Sequence, residues 1–161
     1  MLLPLRESVD RISDPCNLDA AVEEVFALVL GSTCSRIAGV EVSEGRSLMA
    51  VVGFGGALSG ACVLRCGEHA ALTMAGRMMN EAFSELDTTV QDAMGEICNM
   101  LAGGWKGRIP ELASECSLSL PAVITGRDYQ IRVHRPQFQL QRFYQFEAEQ
   151  FEVLIVCEGL Q

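Results

Sequence analysis

The stretch DAMGEICNMLAGGWKG, residues 92–107, decides how the chain is read. Ala93, Met94, Ile97, Met100 and Leu101 recur at helical spacing, so one face of a helix is directed at a core. Asp92, Glu96 and Asn99 fall at i, i+4 and i+7 on the opposite face, and Gly103 continues their stripe. Gly95, Gly103 and Gly104 interrupt the same helix, each costing roughly 1 kcal/mol against alanine. A solvated face would be better served by Lys, Glu and Ala. Either something comes very close to this backbone, or the helix tolerates the penalty.

Working outward, LDAAVEEVFALVLGST makes an amphipathic helix with Asn17 or Asp19 as its N-cap and an end near Gly31. IAGVEVS, SLMAVVGFG and ALSGACVLRC then read as strands between glycine-rich turns. Residues 47–64 carry no charge, but their glycines and β-branched residues mark a buried hairpin, not a membrane span. EHAALTMAGRMMNEAF returns to helix, and the quoted segment opens a third helix near Thr88. After Pro110, the segments CSLSLPAVITG, YQIRVHR, LQRFYQFEA and QFEVLIVCE read as strands. Residues 1–16 show little periodicity and are expected to be an arm or short helix, leaving 17–161 as the domain. The fold class that follows is α/β (α+β), a single domain of long helices packed on an antiparallel sheet.

An internal repeat sharpens this expectation. Asp19, Glu23 and Phe26 lie over Asp92, Glu96 and Asn99; Leu28 then matches Leu101, and Gly31 matches Gly104. Each copy is followed by strand-like hairpin sequence, which predicts a pseudo-symmetric duplication. Where one copy has Asn99 the other has Phe26, so a polar function can survive in only one half.

The 161 residues carry a formal charge of −9 with no basic cluster, which argues against nucleic acid or an anionic membrane as partner. Seven cysteines without a CxxC pair predict reduced, structural thiols in a cytoplasmic protein. The opening MLLPLRESVD reaches charge too early for a signal peptide. His69 and His134 are the only histidines, and no Cys/His set has metal-ligand spacing. GFGGALSG lacks the Lys-Ser/Thr of a P-loop and misses the dinucleotide fingerprint at Leu58. No cysteine has an arginine six positions on, and no serine sits in a GxSxG elbow. What remains is a carboxylate and a carboxamide. Glu96 and Asn99 at i, i+3 project side by side, with Cβ atoms about 5–6 Å apart. The carboxylate can dock on a lysine, and the carboxamide can donate and accept at once, as the alignment of a water molecule requires.

Asp92-x3-Glu96-x2-Asn99, followed by Leu-x-Gly in the helix and by SLSLP ending at Pro121, resembles the signature of the CheC/CheX/FliY chemotaxis phosphatases. With a single intact site the chain looks most like the CheX type. The interval from Asn99 to Pro121 is one residue shorter than the family's usual spacing, which suggests a trimmed loop around residues 109–115. The resemblance implies that the substrate is the aspartyl phosphate of a CheY-like receiver domain in chemotaxis or another two-component pathway. It further implies that Glu96 pairs with the receiver's lysine and that Asn99 orients the attacking water. Mg²⁺ would come with the receiver, so the chain needs no cofactor of its own. Asp92, Gly95, Gly103 and Pro121 are the supporting positions, with Asp92 expected to hold the helix start or a neighbouring donor. Relatives of this type pair as homodimers through their sheets, and the hairpin and QFEVLIVCE are expected to offer the edge. The competing readings are a solvated helix face, and a receiver-binding or flagellar-switch-like scaffold without hydrolysis.

Overall fold

In the computed structural model, which describes residues 5–40 and 45–161, the quoted stretch forms most of helix α4, Thr88–Gly107. Asp87 caps it, its side chain accepting from the Val90 N–H at 2.9 Å. The apolar face is fully used: Val90, Met94, Ile97, Cys98, Leu101 and Trp105 are buried. The Cys98 thiol donates to the carbonyls of Ala50 and Cys62, at 3.4 and 3.5 Å, and so ties the helix to the sheet beneath.

The other helices are α1 (Val9–Ile12), α2 (Pro15–Val25), α3 (Glu68–Met79) and α5 (Pro110–Ala113). A π turn over Phe26–Leu30 extends α2 to Gly31, whose φ of 62° closes it in the left-handed region. The strands are β1 (Ser35–Ile37), β2 (Ser47–Gly56), β3 (Leu58–Gly67), β4 (Cys116–Leu118), β5 (Ala122–Gly126), β6 (Phe138–Phe146) and β7 (Glu149–Leu160). Among the described residues they form one antiparallel sheet in the order β1-β6-β7-β3-β2, with β5 and β4 on successive stretches of the outer edge of β2. That order is unchanged, read in reverse, when β1 is exchanged with β4/β5, β2 with β6 and β3 with β7. Each half runs helix, edge strand, long hairpin, so the symmetry expected from the repeat is present in the topology, with its axis between β3 and β7.

Period-two alternation sorts β2 cleanly. Leu48, Ala50, Val52 and Phe54 face the helices, while Met49 and Val51 reach a second apolar cluster around Val63, Leu154 and Val156 on the far face. β7 is buried from Phe151 to Cys157, because both faces of the sheet are covered there.

Several expectations change. YQIRVHR is not a strand: residues 129–133 have no ladder partner among the described residues, and Ile131 and Val133 pack on the far face of the sheet instead. Their alternation reflects burial of every second side chain, which an extended strap achieves without strand pairing. The α2 cap is Asp14, which accepts from the Cys16 N–H at 2.9 Å, so Asn17 and Asp19 lie inside the helix. Of the expected strand IAGVEVS, only Ile37 is in β1, and its residues 41–43 lie outside the described residues. The segment before α2 is packed against the domain through Ile12, which is fully buried, and through an Arg11–Glu111 ion pair. The trimmed loop folds as α5, with Ile109 and Leu112 buried. Finally, neither β7 nor the β2–β3 hairpin is an edge. The edges are β1 on one side and β4 with β5 on the other.

Candidate active site

Helix α4 keeps the predicted stripe on its outer side. Asp92 and Glu96 are exposed, and Asn99 is half-buried, not fully exposed. None of the three makes a side-chain hydrogen bond or ion pair among the described residues. Their polar groups are therefore available to an incoming molecule, while the helix that carries them is anchored by its buried face. Asp92 does not hold the helix start, because Asp87 already accepts the free N–H there. The Asp-Thr-Thr run at 87–89 is the capping signal that marks that position in the sequence.

The glycines have an internal explanation. A β-carbon on Gly95 would stand 3.1 Å from Pro121 Cβ and 3.5 Å from Val123 Cγ2. One on Gly104 would stand 3.4 Å from Ala21 Cβ, so this glycine lets α2 pack close to α4. Gly103 faces Leu118, whose Cδ1 would be 3.9 Å away. The close approach comes from the β4–β5 segment and from α2, both in this same chain. Gly95 and Pro121 thus belong to one contact, which the sequence could not pair because twenty-five residues lie between them.

The stripe carries no thiol or hydroxyl nucleophile. Cys98, the neighbour of Asn99, points into the core and donates to two carbonyls. Burial pushes the Cys66 thiol up to about 12, with the Glu149 charge adding to the shift, and Cys34 is held at about 12 chiefly by burial as well. All seven cysteines are free thiols. His69 lies against Glu149, and Arg77 pairs with Glu147. What the stripe can do chemically is to engage a cation through Glu96 and to accept and donate at one small polar molecule through Asn99.

The pseudo-symmetric position offers no second polar stripe. Phe26, opposite number of Asn99, is fully buried, stacked on Phe151 with ring centroids 4.7 Å apart and edge-on to Phe146 at 5.2 Å. Asp19, opposite number of Asp92, is bound instead by the Tyr144 hydroxyl at 2.7 Å and by Arg142 at 3.2 Å. Beyond Phe26 the match fails: Leu28 is 77% exposed where Leu101 is buried, because the π turn rotates the side chains that follow.

This fold is shared with solved chemotaxis proteins. The CheX structure from Desulfovibrio desulfuricans superposes with a TM-score of 0.75 at 19% identity, covering 92% of this chain and 99% of that one. The CheX–CheY–BeF3–Mg complex from Borrelia burgdorferi gives a TM-score of 0.70 at 19% identity, over 91% and 99% of the two chains. In sequence, the CheY-P phosphatase CheX of Thermotoga maritima is 25% identical in a match 127 positions long that covers 71% of this chain and 82% of the relative. The family model of chemotaxis phosphatase CheX matches residues 48–143, a span that holds all of α4. The chain belongs to the chemotaxis phosphatase CheX family.

Proposed function

We propose that this chain hydrolyses the aspartyl phosphate of a CheY-like receiver domain. The observation that carries the reading is the unpartnered Glu96–Asn99 pair on the outer stripe of a helix whose other face is locked to the sheet, in a chain of this family. The Thermotoga relative, named as a CheY-P phosphatase, and the Borrelia complex, which contains CheY, support the choice of substrate. Glu96 meets the ammonium of the receiver's lysine and seats the two surfaces. Asn99 then accepts from and donates to a water, aligning its oxygen in line with the phosphorus. As the water oxygen bonds to phosphorus, the bond to the aspartyl oxygen breaks, releasing inorganic phosphate and the free carboxylate. Mg²⁺ stays with the receiver throughout. Positioning of this kind is where most of the rate in phosphoryl transfer arises. Asp92 adds negative charge beside Glu96, Gly95 and Pro121 set the distance from α4 to the neighbouring strand, and Gly103 keeps the end of the stripe low.

The test is decay of phosphoryl label from the source organism's CheY-type receivers, with and without the protein. Faster decay is expected, with no hydrolysis of small phosphomonoesters. A receiver lifetime that the protein leaves unchanged, despite measurable binding, returns the scaffold reading.

Homodimer formation is part of the same proposal, and its edge is now β5. Among the described residues this strand pairs only with β2, and its Ile124 is 47% exposed. Light scattering at tens of micromolar should find a dimer that reductant does not dissociate; a monomer overturns it.

A further inference from the structure

The segment that connects β4 to β5 runs beside α4 in the opposite direction. Leu118 lies against Gly103, and Pro121 lies against Gly95. The eight residue steps from Gly95 to Gly103 rise about 12 Å along the helix, and the three steps from Leu118 to Pro121, extended, span about 10 Å. Ser119 and Leu120 therefore cross the level of Asn99, which is midway between Gly95 and Gly103.

At that level the chain presents a bare leucine. Leu120 is 90% exposed, the most open of the large apolar side chains among the described residues. Its backbone is nevertheless held. The Ser119 N–H donates to the Gly53 carbonyl at 2.9 Å, and the Ser119 hydroxyl accepts from the Gly53 N–H at 2.8 Å. The same hydroxyl donates to the Leu120 carbonyl at 3.1 Å. Pro121, wedged against Gly95, further restricts the backbone of the residue before it. A single exposed leucine is ordinary on a protein surface. A leucine whose backbone is held at the level of the Asn99 carboxamide, within the uncharged run Ser117–Ala122, is a pre-placed apolar contact. A body that seats on Glu96 and Asn99 must also cover this shoulder.

We infer that Leu120 is a docking residue for the phosphorylated receiver: it buries its side chain against an apolar patch beside the receiver's phosphorylation site. Glu96 then supplies charge recognition and Leu120 the dry contact next to it. The inference rests on the receiver-phosphatase reading, and the measurement separates the two. Initial rates are taken on a CheY-type receiver of the source organism phosphorylated with acetyl phosphate, for the wild type, Leu120→Ala, Leu120→Met and Asn99→Ala. Truncation should raise KM about tenfold, the scale for removing one apolar side chain from an interface, while kcat, thermal stability and oligomeric state stay unchanged. Leu120→Met should restore most of the affinity. If Asn99→Ala loses turnover but Leu120→Ala keeps the wild-type KM, the docking role is wrong and the phosphatase reading stands. A fall in kcat at constant KM, or a shift to monomer, likewise overturns it, assigning Leu120 to the geometry of Asn99 or to a contact between copies. If the wild type does not shorten the receiver's phosphorylated lifetime, the phosphatase reading fails, and this inference with it.

Discussion

Gly95 of α4 and Pro121 ahead of β5 touch so closely that no β-carbon fits between them at normal separation; it would sit 3.1 Å from the proline Cβ. The residue on one side of Gly95 in sequence is Glu96, and Asn99 lies one turn on. The contact that spaces helix from strand is thus built into the polar stripe itself, and changes there reach stability and chemistry together.

Within the stripe the two polar groups should separate kinetically. Asn99→Ala should fold as the wild type and bind the phosphorylated receiver, yet lose about 10²-fold in kcat, the scale for removing one group that acts in the transition state. Glu96→Ala should instead weaken binding, because the receiver's lysine loses its charged partner. Single-turnover decay across a range of protein concentrations resolves the two parameters. Wild-type turnover by a folded, binding-competent Asn99→Ala would falsify the water-positioning role.

The glycines are expected to differ among themselves. Gly103→Ala places its β-carbon at an ordinary 3.9 Å from Leu118, so helix propensity dominates and stability should rise by about 0.5–1 kcal/mol. Gly95→Ala gains the same propensity but crowds Pro121, and its net change should be clearly less favourable than that of Gly103→Ala. Urea unfolding of the two variants side by side decides this. Equal stabilisation would show that the Pro121 segment yields without cost.

Phe26→Asn reproduces the chemistry of Asn99 at the symmetric position, and should fail as a second site. It removes the ring that stacks on Phe151 and buries a carboxamide in its place, so a loss of at least about 3 kcal/mol is expected. Thermal melts measure the loss. Extra phosphatase activity in a double variant with Asn99→Ala would contradict the prediction.

Alkaline pH should weaken the fold through its thiols. Burial raises Cys66 from an ordinary 9.0 to about 12, so the unfolded chain ionises first as the pH climbs. The stabilisation is complete below pH 9.0 and is lost progressively towards 12. The loss has an upper limit of about 1.4 kcal/mol per pH unit for this thiol. Cys34 and Cys157, raised chiefly by burial to about 12 and about 11, act in the same direction. Urea midpoints on either side of pH 9.0 test the sign, and a Cys66→Ala variant should show a shallower decline. In native protein at neutral pH, a thiol reagent should modify the exposed Cys16 first.

Local features were legible in the amino-acid sequence because their geometry is local. The spacing of Ala93, Met94, Ile97 and Leu101 determined a helix and its buried face, and the same turn length placed Glu96 beside Asn99 wherever that helix lay. The Gly-rich, β-branched run at 47–64 determined a hairpin for similar reasons. The repeat of Asp19, Glu23 and Phe26 foretold the two-fold order of the sheet. Decisions that depend on what lies opposite had to wait for tertiary structure. Alternation at Ile131 and Val133 records burial of alternate side chains, and only the neighbouring chain decides whether a ladder or a bare strap provides it. An apolar strand such as β7 is equally consistent with an edge and a centre until its partners β6 and β3 are in place. The glycines of α4 announced a close approach, but the approaching atoms belong to Pro121 and Ala21, remote in sequence and adjacent only after folding. Periodicity specifies which face of an element is buried; packing alone specifies what buries it.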